Sequence, residues 1–188
     1  MTLLIVGLVL FLGPHLLPTV PRLRAALVAR LGERRYKGAF ALTSALGLVL
    51  IVIGFGRAPR EPRLFAPSAA AIAVAPVAIP VAFVLFAAAN MQSHIRRVLQ
   101  HPMLLGVLLW AVVHLLANGD ARGTVLFGAF VAYALIDLAS AMHRHAVKPV
   151  APQAKFDAIA IGAGVALALV LMAFHRPLFG VAVVPFGV

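Results

Sequence analysis

The sequence predicts an all-α fold: a polytopic transmembrane helix bundle of about six helices. Three observations carry this. The 188 residues are 63% hydrophobic and only 11% charged, with mean hydropathy +1.06, more apolar surface than a soluble domain of this size can hide. Six apolar stretches approach the roughly 20 residues that a helix needs to cross the hydrocarbon core. The cations fall in the gaps between those stretches. A net charge of +11 would point to nucleic acid in a soluble chain. Here it is better explained by short basic loops that set membrane orientation, so the lipid bilayer is the expected partner and nucleic acid is not. There are no cysteines, which excludes disulfides, thiolate ligands and cysteine nucleophiles.

The spans are expected at 2–20, 38–56, 67–89, 102–118, 124–142 and 156–175. In the first, Pro14 and Pro18, with Pro21 just beyond, each remove a backbone donor, so its second half should be kinked or partly unwound. It has no basic leader before it, and Pro14, His15 and Pro18 follow where a small-residue cleavage site would stand, so it reads as a retained helix. The segment 22–37 alternates cations with Leu23, Leu27 and Leu31, each four apart. It reads either as one short helix on the membrane surface or as a plain basic loop. The third span contains Pro76 and Pro80 and should bend. Such breaks are tolerated where neighbours satisfy the freed carbonyls, so they are expected to face the bundle interior. The fourth span is short and can be extended to the interface by 91–100. The tail 177–188 is apolar but too short to cross, and should lie at the interface.

Orientation follows from the loops. Eleven basic residues lie in the segments between spans one and two, three and four, and five and six, against five on the other side. The richer side should be cytoplasmic, leaving both termini non-cytoplasmic in a multi-pass protein.

Two histidines lie inside otherwise apolar spans. His15 follows the run that ends Leu12-Gly13-Pro14, and His114 follows Trp110-Ala111-Val112-Val113. An ionisable group at membrane depth is costly and normally has a partner, and neutral imidazole is the commonest metal ligand. A structural hydrogen bond and ligation are both open for each residue. No zinc-type spacing such as HExxH is present. Two histidines from separate apolar helices suit bis-imidazole haem iron, because haem is itself apolar and fills a bundle core. Arg22, Arg34, Arg96 and Arg97 could meet its propionates. Trp110, one turn before His114, shares its face and could pack on a haem edge or simply fill the core. His101 is 13 residues from His114, about 20 Å along one helix, so the two cannot share an ion. It ranks as the lower alternative ligand. His94 and His101, seven apart, should face the same way near the interface. His143 and His145 should be solvated, and His175 should sit at the interface. Asp137, deep in the fifth span, should be paired or handle protons. Asn118-Gly119-Asp120 reads as a tight turn.

Four strings then become recognisable: Gly13-Pro14-His15-Leu16-Leu17, Leu31-Gly32-Glu33-Arg34-Arg35-Tyr36-Lys37-Gly38, His101-Pro102-Met103-Leu104-Leu105-Gly106, and the run from Trp110 through His114 to Asn118-Gly119-Asp120. Together they resemble the NnrU family over almost the whole chain. The last two strings are the more specific. The family's members are bacterial membrane proteins linked to nitrite and nitric oxide metabolism in denitrification, which implies the bacterial inner membrane. The resemblance extends to zeta-carotene isomerase, a haem b membrane enzyme that turns a cis double bond of a carotenoid to trans and holds its haem with two histidines. It implies haem b here, with His15 and His114 as the ligands and His101 matching a neighbouring histidine. Three functions follow as expectations: a redox or nitric oxide-sensing accessory factor, a haem-dependent isomerase of a carotenoid-like polyene, or a haem-free transporter or assembly factor that uses His15, His114 and Asp137 as a polar track.

Overall fold

A computed structural model describes residues 1–147 and 149–180. Its elements are α1 (Thr2–Leu16), a 3-10 turn (Leu17–Thr19), α2 (Pro21–Leu31), α3 (Glu33–Arg57), α4 (Ala69–Ala88), α5 (His94–Leu99), α6 (Pro102–Asn118), α7 (Ala121–His143), α8 (Ala154–Ala173) and α9 (His175–Phe179). Among the described residues there is no strand, only an isolated bridge between Arg63 and Asp120. Five segments are long and apolar enough to cross a membrane: Thr2–Thr19, α3, α4, α7 and α8. The sixth expected span is α6, an apolar helix of 17 residues. At 1.5 Å per residue it reaches about 26 Å, the lower end of what a crossing needs. The chain is a multi-pass membrane protein by helix length and composition.

The chain divides into two compact units. The first comprises Met1–Ala66 and Asn118–Arg144, and the second Pro67–Ala117 and the described residues from His145 on. Each is built on three long helices.

In the first unit these are α1, α3 and α7. The helices α1 and α3 run antiparallel with their backbones in close approach, which only glycine permits. A Cβ on Gly7 would lie 2.6 Å from the Ile51 nitrogen, and one on Gly47 2.6 Å from the Phe11 nitrogen. At Gly54 a Cβ would collide with the backbone of Leu4. Small residues at such a seam let dispersion act over a large area where lipid offers no hydrophobic contrast. The proline-rich end of the first span unwinds as expected: α1 carries Pro14 inside it, ends at Leu16 and passes into the 3-10 turn. The basic segment 22–37 is not one helix. Gly32, at φ 76°, interrupts it, so α2 stops at Leu31 and Arg34, Arg35 and Lys37 open α3. The ion pair of Lys37 with Glu33 one turn away, at 2.6 Å, supports that early start.

The turn Asn118-Gly119-Asp120 forms as its residue types require. Gly119 takes φ 74°, and the Asp120 side chain caps α7 by accepting from the Gly123 amide at 2.6 Å. The loop before α4 is tied to it: the amides of Leu64 and Ala121 donate to the carbonyls of Gly119 and Pro62.

In the second unit the long helices are α4, α6 and α8. Gly164 of α8 sits directly on the backbone of Phe83 and Val84 in α4, and Gly106 of α6 on the Phe86 ring. Ala78, Ile79 and Val113 form a buried cluster, with Phe83, Leu109 and Trp110 packed against it. Pro76 and Pro80 lie inside α4, which continues through both. Pro76 is exposed and Pro80 half-buried, so the first break does not face the interior as the sequence led us to expect. Two lost donors do not stop a 20-residue helix whose other bonds remain. Of the tail 177–188, residues up to Phe179 belong to α9, while 181–188 lie outside the described residues, as does Lys148 of the basic count.

Candidate functional site

Each intramembrane histidine sits in a defined shell, and each shell belongs to one unit. His15, half-buried near the end of α1, donates from Nδ1 to the Phe11 carbonyl oxygen at 2.6 Å. Its ring stacks on Phe11 at 4.5 Å between centroids and meets Phe40 of α3 at 4.9 Å and Tyr133 of α7 at 6.2 Å. The three helices of the first unit thus box the imidazole in aromatic faces. One turn further along α7, the Tyr133 hydroxyl donates to Asp137 at 3.4 Å. Asp137 therefore has a partner, as expected of a carboxylate at that depth, but the partner is a phenol on its own helix.

His114 belongs to the second unit. Its Nδ1 donates to the Trp110 carbonyl at 2.8 Å, and the Trp110 ring lies 5.1 Å away. Trp110 also packs on the buried cluster of Ala78, Ile79 and Val113, so it fills the core and flanks the histidine at once. The His175 ring lies 6.5 Å from that of His114.

The two histidines share one electronic arrangement. A carbonyl oxygen only accepts, so the bonded Nδ1 must carry the proton and the neutral ring's lone pair resides on Nε2. This is how a metal-ligating imidazole is usually fixed, with one nitrogen tied to a backbone carbonyl and the other left basic. In both residues the carbonyl is the one four residues earlier, so the helix supplies the orientation.

The remaining sequence-derived residues divide clearly. His101 precedes α6 and is half-buried, with its Nε2 buried and without a hydrogen-bond partner among the described residues. His94 and His101 do not share a helix face: α5 ends at Leu99, and Gln100, at φ 61°, breaks the chain before α6. His143 and His145 are exposed, as expected. Arg22 in α2 and Arg34 in the first turn of α3 are exposed and belong to the first unit. His15 and His114 fall in different units, so neither unit alone contains the pair. Among the described residues no three His, Asp or Glu side chains cluster as a metal ion would require.

Three features escaped the sequence reading. Arg122, one of the five cations counted on the non-cytoplasmic side, is only 8% exposed. It donates from Nη1 to the Phe55 carbonyl at 2.9 Å, lies over the Phe55 ring at 4.4 Å, and keeps its Nε 3.5 Å from the Asp120 carboxylate. Because Nε makes no hydrogen bond, that last contact is an ion pair only. His94 donates to Asp157 at 2.6 Å, and the other oxygen of Asp157 accepts from the Ile95 amide at 3.1 Å, fastening α5 to α8. The third is the approach of His175 to His114. None of the three is marked in the sequence: Arg122 follows the capping Asp120 by two residues, and only the fold brings its guanidinium to both the Asp120 carboxylate and the Phe55 carbonyl.

The sequence model of the NnrU protein family matches residues 3–183. The chain belongs to the NnrU family. The match spans both units, so the glycine seam of the first and the His114 shell of the second fall within one family domain. No curated protein and no solved structure matches the chain.

Proposed function

We propose that this NnrU protein binds haem b in the membrane and serves nitrite and nitric oxide metabolism as a redox or nitric oxide-responsive accessory factor. The observation that carries the reading is the fixed tautomer of His114. Its Nδ1–H is tied to the Trp110 carbonyl, which makes Nε2 the basic nitrogen of a ring 5.1 Å from that of Trp110, itself packed on the apolar cluster of Ala78, Ile79 and Val113. Those residues fit haem: one imidazole donor with aromatic and aliphatic walls. His15 has the same tautomer in an aromatic box and stands as the second candidate ligand, with His101 below both. Bound haem would supply one-electron chemistry and affinity for nitric oxide. The chain's part is to hold the ring, exclude water with aromatic walls and match the propionates with arginine.

The test is a pair of titrations on purified protein in detergent, with one variant beside them. Adding nitric oxide to the reduced protein should shift the Soret band at near-stoichiometric ligand. Addition of a cis-polyene should leave product isomers at the no-protein level. Polyene turnover without a nitric oxide-dependent shift would replace the accessory reading with the isomerase one. A His114→Ala variant that retains the wild-type spectrum would remove His114 as ligand.

A further inference from the structure

We infer that His175 is the second iron ligand, opposite His114. The inference rests on the haem reading above and puts His175, which neither the sequence nor the family resemblance assigned, in the place that reading gave to His15. Both histidines belong to the second unit. His114 lies four residues before the end of α6, and His175 follows directly on the end of α8. The helix α8 stops at Ala173, and Phe174, at φ −93° and ψ 6°, turns the chain so that His175 opens α9. The break places the ring at the end of the helix, where it reaches α6.

The spacing of the two rings suits one ion between them. An imidazole nitrogen binds a first-row metal at about 2.0–2.1 Å, so two imidazoles on opposite sides of one ion hold their ring centroids roughly 6 Å apart. The centroids of His114 and His175 are 6.5 Å apart, with ring planes 30° from parallel.

The donor count selects haem over a bare ion. A structural zinc ion needs four protein ligands, and no third His, Asp or Glu joins the pair among the described residues. Haem brings four nitrogens of its own and asks the protein for one or two, so a pair of imidazoles suffices.

The walls agree with a flat apolar occupant. Trp110 flanks His114 at 5.1 Å from one turn before, and Phe179 flanks His175 at 4.8 Å from one turn after. Each ligand ring thus carries a flat aromatic neighbour of its own segment. Arg176, next to His175, is a cation able to meet a propionate.

The test uses purified, haem-loaded full-length protein and reads the ferric spin state by electron paramagnetic resonance. The wild type should be six-coordinate and low-spin. His175→Ala should turn high-spin, and millimolar imidazole should restore the low-spin signal. His175→Met should stay six-coordinate with a raised reduction potential, which covers the case in which the alanine variant does not fold. His15→Ala should remain low-spin. A His175→Ala protein with the wild-type low-spin signal, or a His15→Ala protein that turns high-spin, overturns the assignment while leaving haem binding intact. A wild type that takes up no haem overturns both.

Discussion

At Arg122 a single side chain does three jobs. It satisfies the last-turn carbonyl of Phe55, covers the Phe55 ring and balances Asp120, all while 8% exposed. A hydrogen bond to a charged donor is worth about 1.5–3 kcal/mol, and its loss leaves a part-buried acceptor bare. Arg122→Ala should therefore lower the stability of the detergent-solubilised protein by about 2–3 kcal/mol, seen as a clear drop in Tm. Arg122→Lys should recover little of it, because a point charge on a flexible stem cannot span the carbonyl and the carboxylate together. An alanine variant with wild-type Tm would show that the arginine is not structural. The residue types of this corner were legible in the sequence, but its burial was not. Asp120 announces a cap, whereas nothing in the neighbourhood of Arg122 tells a buried guanidinium from a loop cation. His15 and His114 were legible because each interrupts an apolar run. The position of His175 was not, since a contact between residues 61 apart has no periodicity to reveal it.

At the scale of elements, the seam between α1 and α3 is the clearest determinant. Gly7 and Gly47 each leave no room for a methyl group, whereas a Cβ added at Gly38 or Gly128 would meet nothing within 4 Å. Gly47→Ala should cost about 1–3 kcal/mol, since the helices must separate to admit one carbon. Gly38→Ala should be neutral or slightly stabilising through helix propensity. Thermal unfolding of both variants checks the pair, and equal Tm values would contradict the packing described. At α5, Asp157 holds both the His94 ring and the Ile95 amide. Asp157→Ala should increase proteolytic cutting within 91–100 while leaving α8 protected; uniform sensitivity along the chain would refute that local role. The helices themselves were legible to within a few residues, because bilayer thickness fixes the length of an apolar run. The interruption at Gly32 was missed for the opposite reason: the four-residue spacing of leucines reads through a positive-φ glycine as though the helix continued.

For the whole molecule, topology turns on whether α6 crosses the bilayer. Its 17 apolar residues are fewer than those of the five longer spans, yet a helix of this length still reaches about 26 Å. With α6 crossing, the spans are even in number and both ends of the chain face the same side. By the excess of basic residues in alternate loops, the other side should then be cytoplasmic. Reporter fusions at Met1 and after Gly180 should both be inactive in the cytoplasm; opposite signals would mean that α6 does not cross. Haem binding underlies the proposed function, and the absorption spectrum of the purified wild-type protein, expressed with ample haem and recorded oxidised and reduced, is its decisive test. The expected result is a Soret band with haem b signals that sharpen on reduction, at about one haem per chain. A protein that is well folded, purified under those conditions and colourless would contradict it.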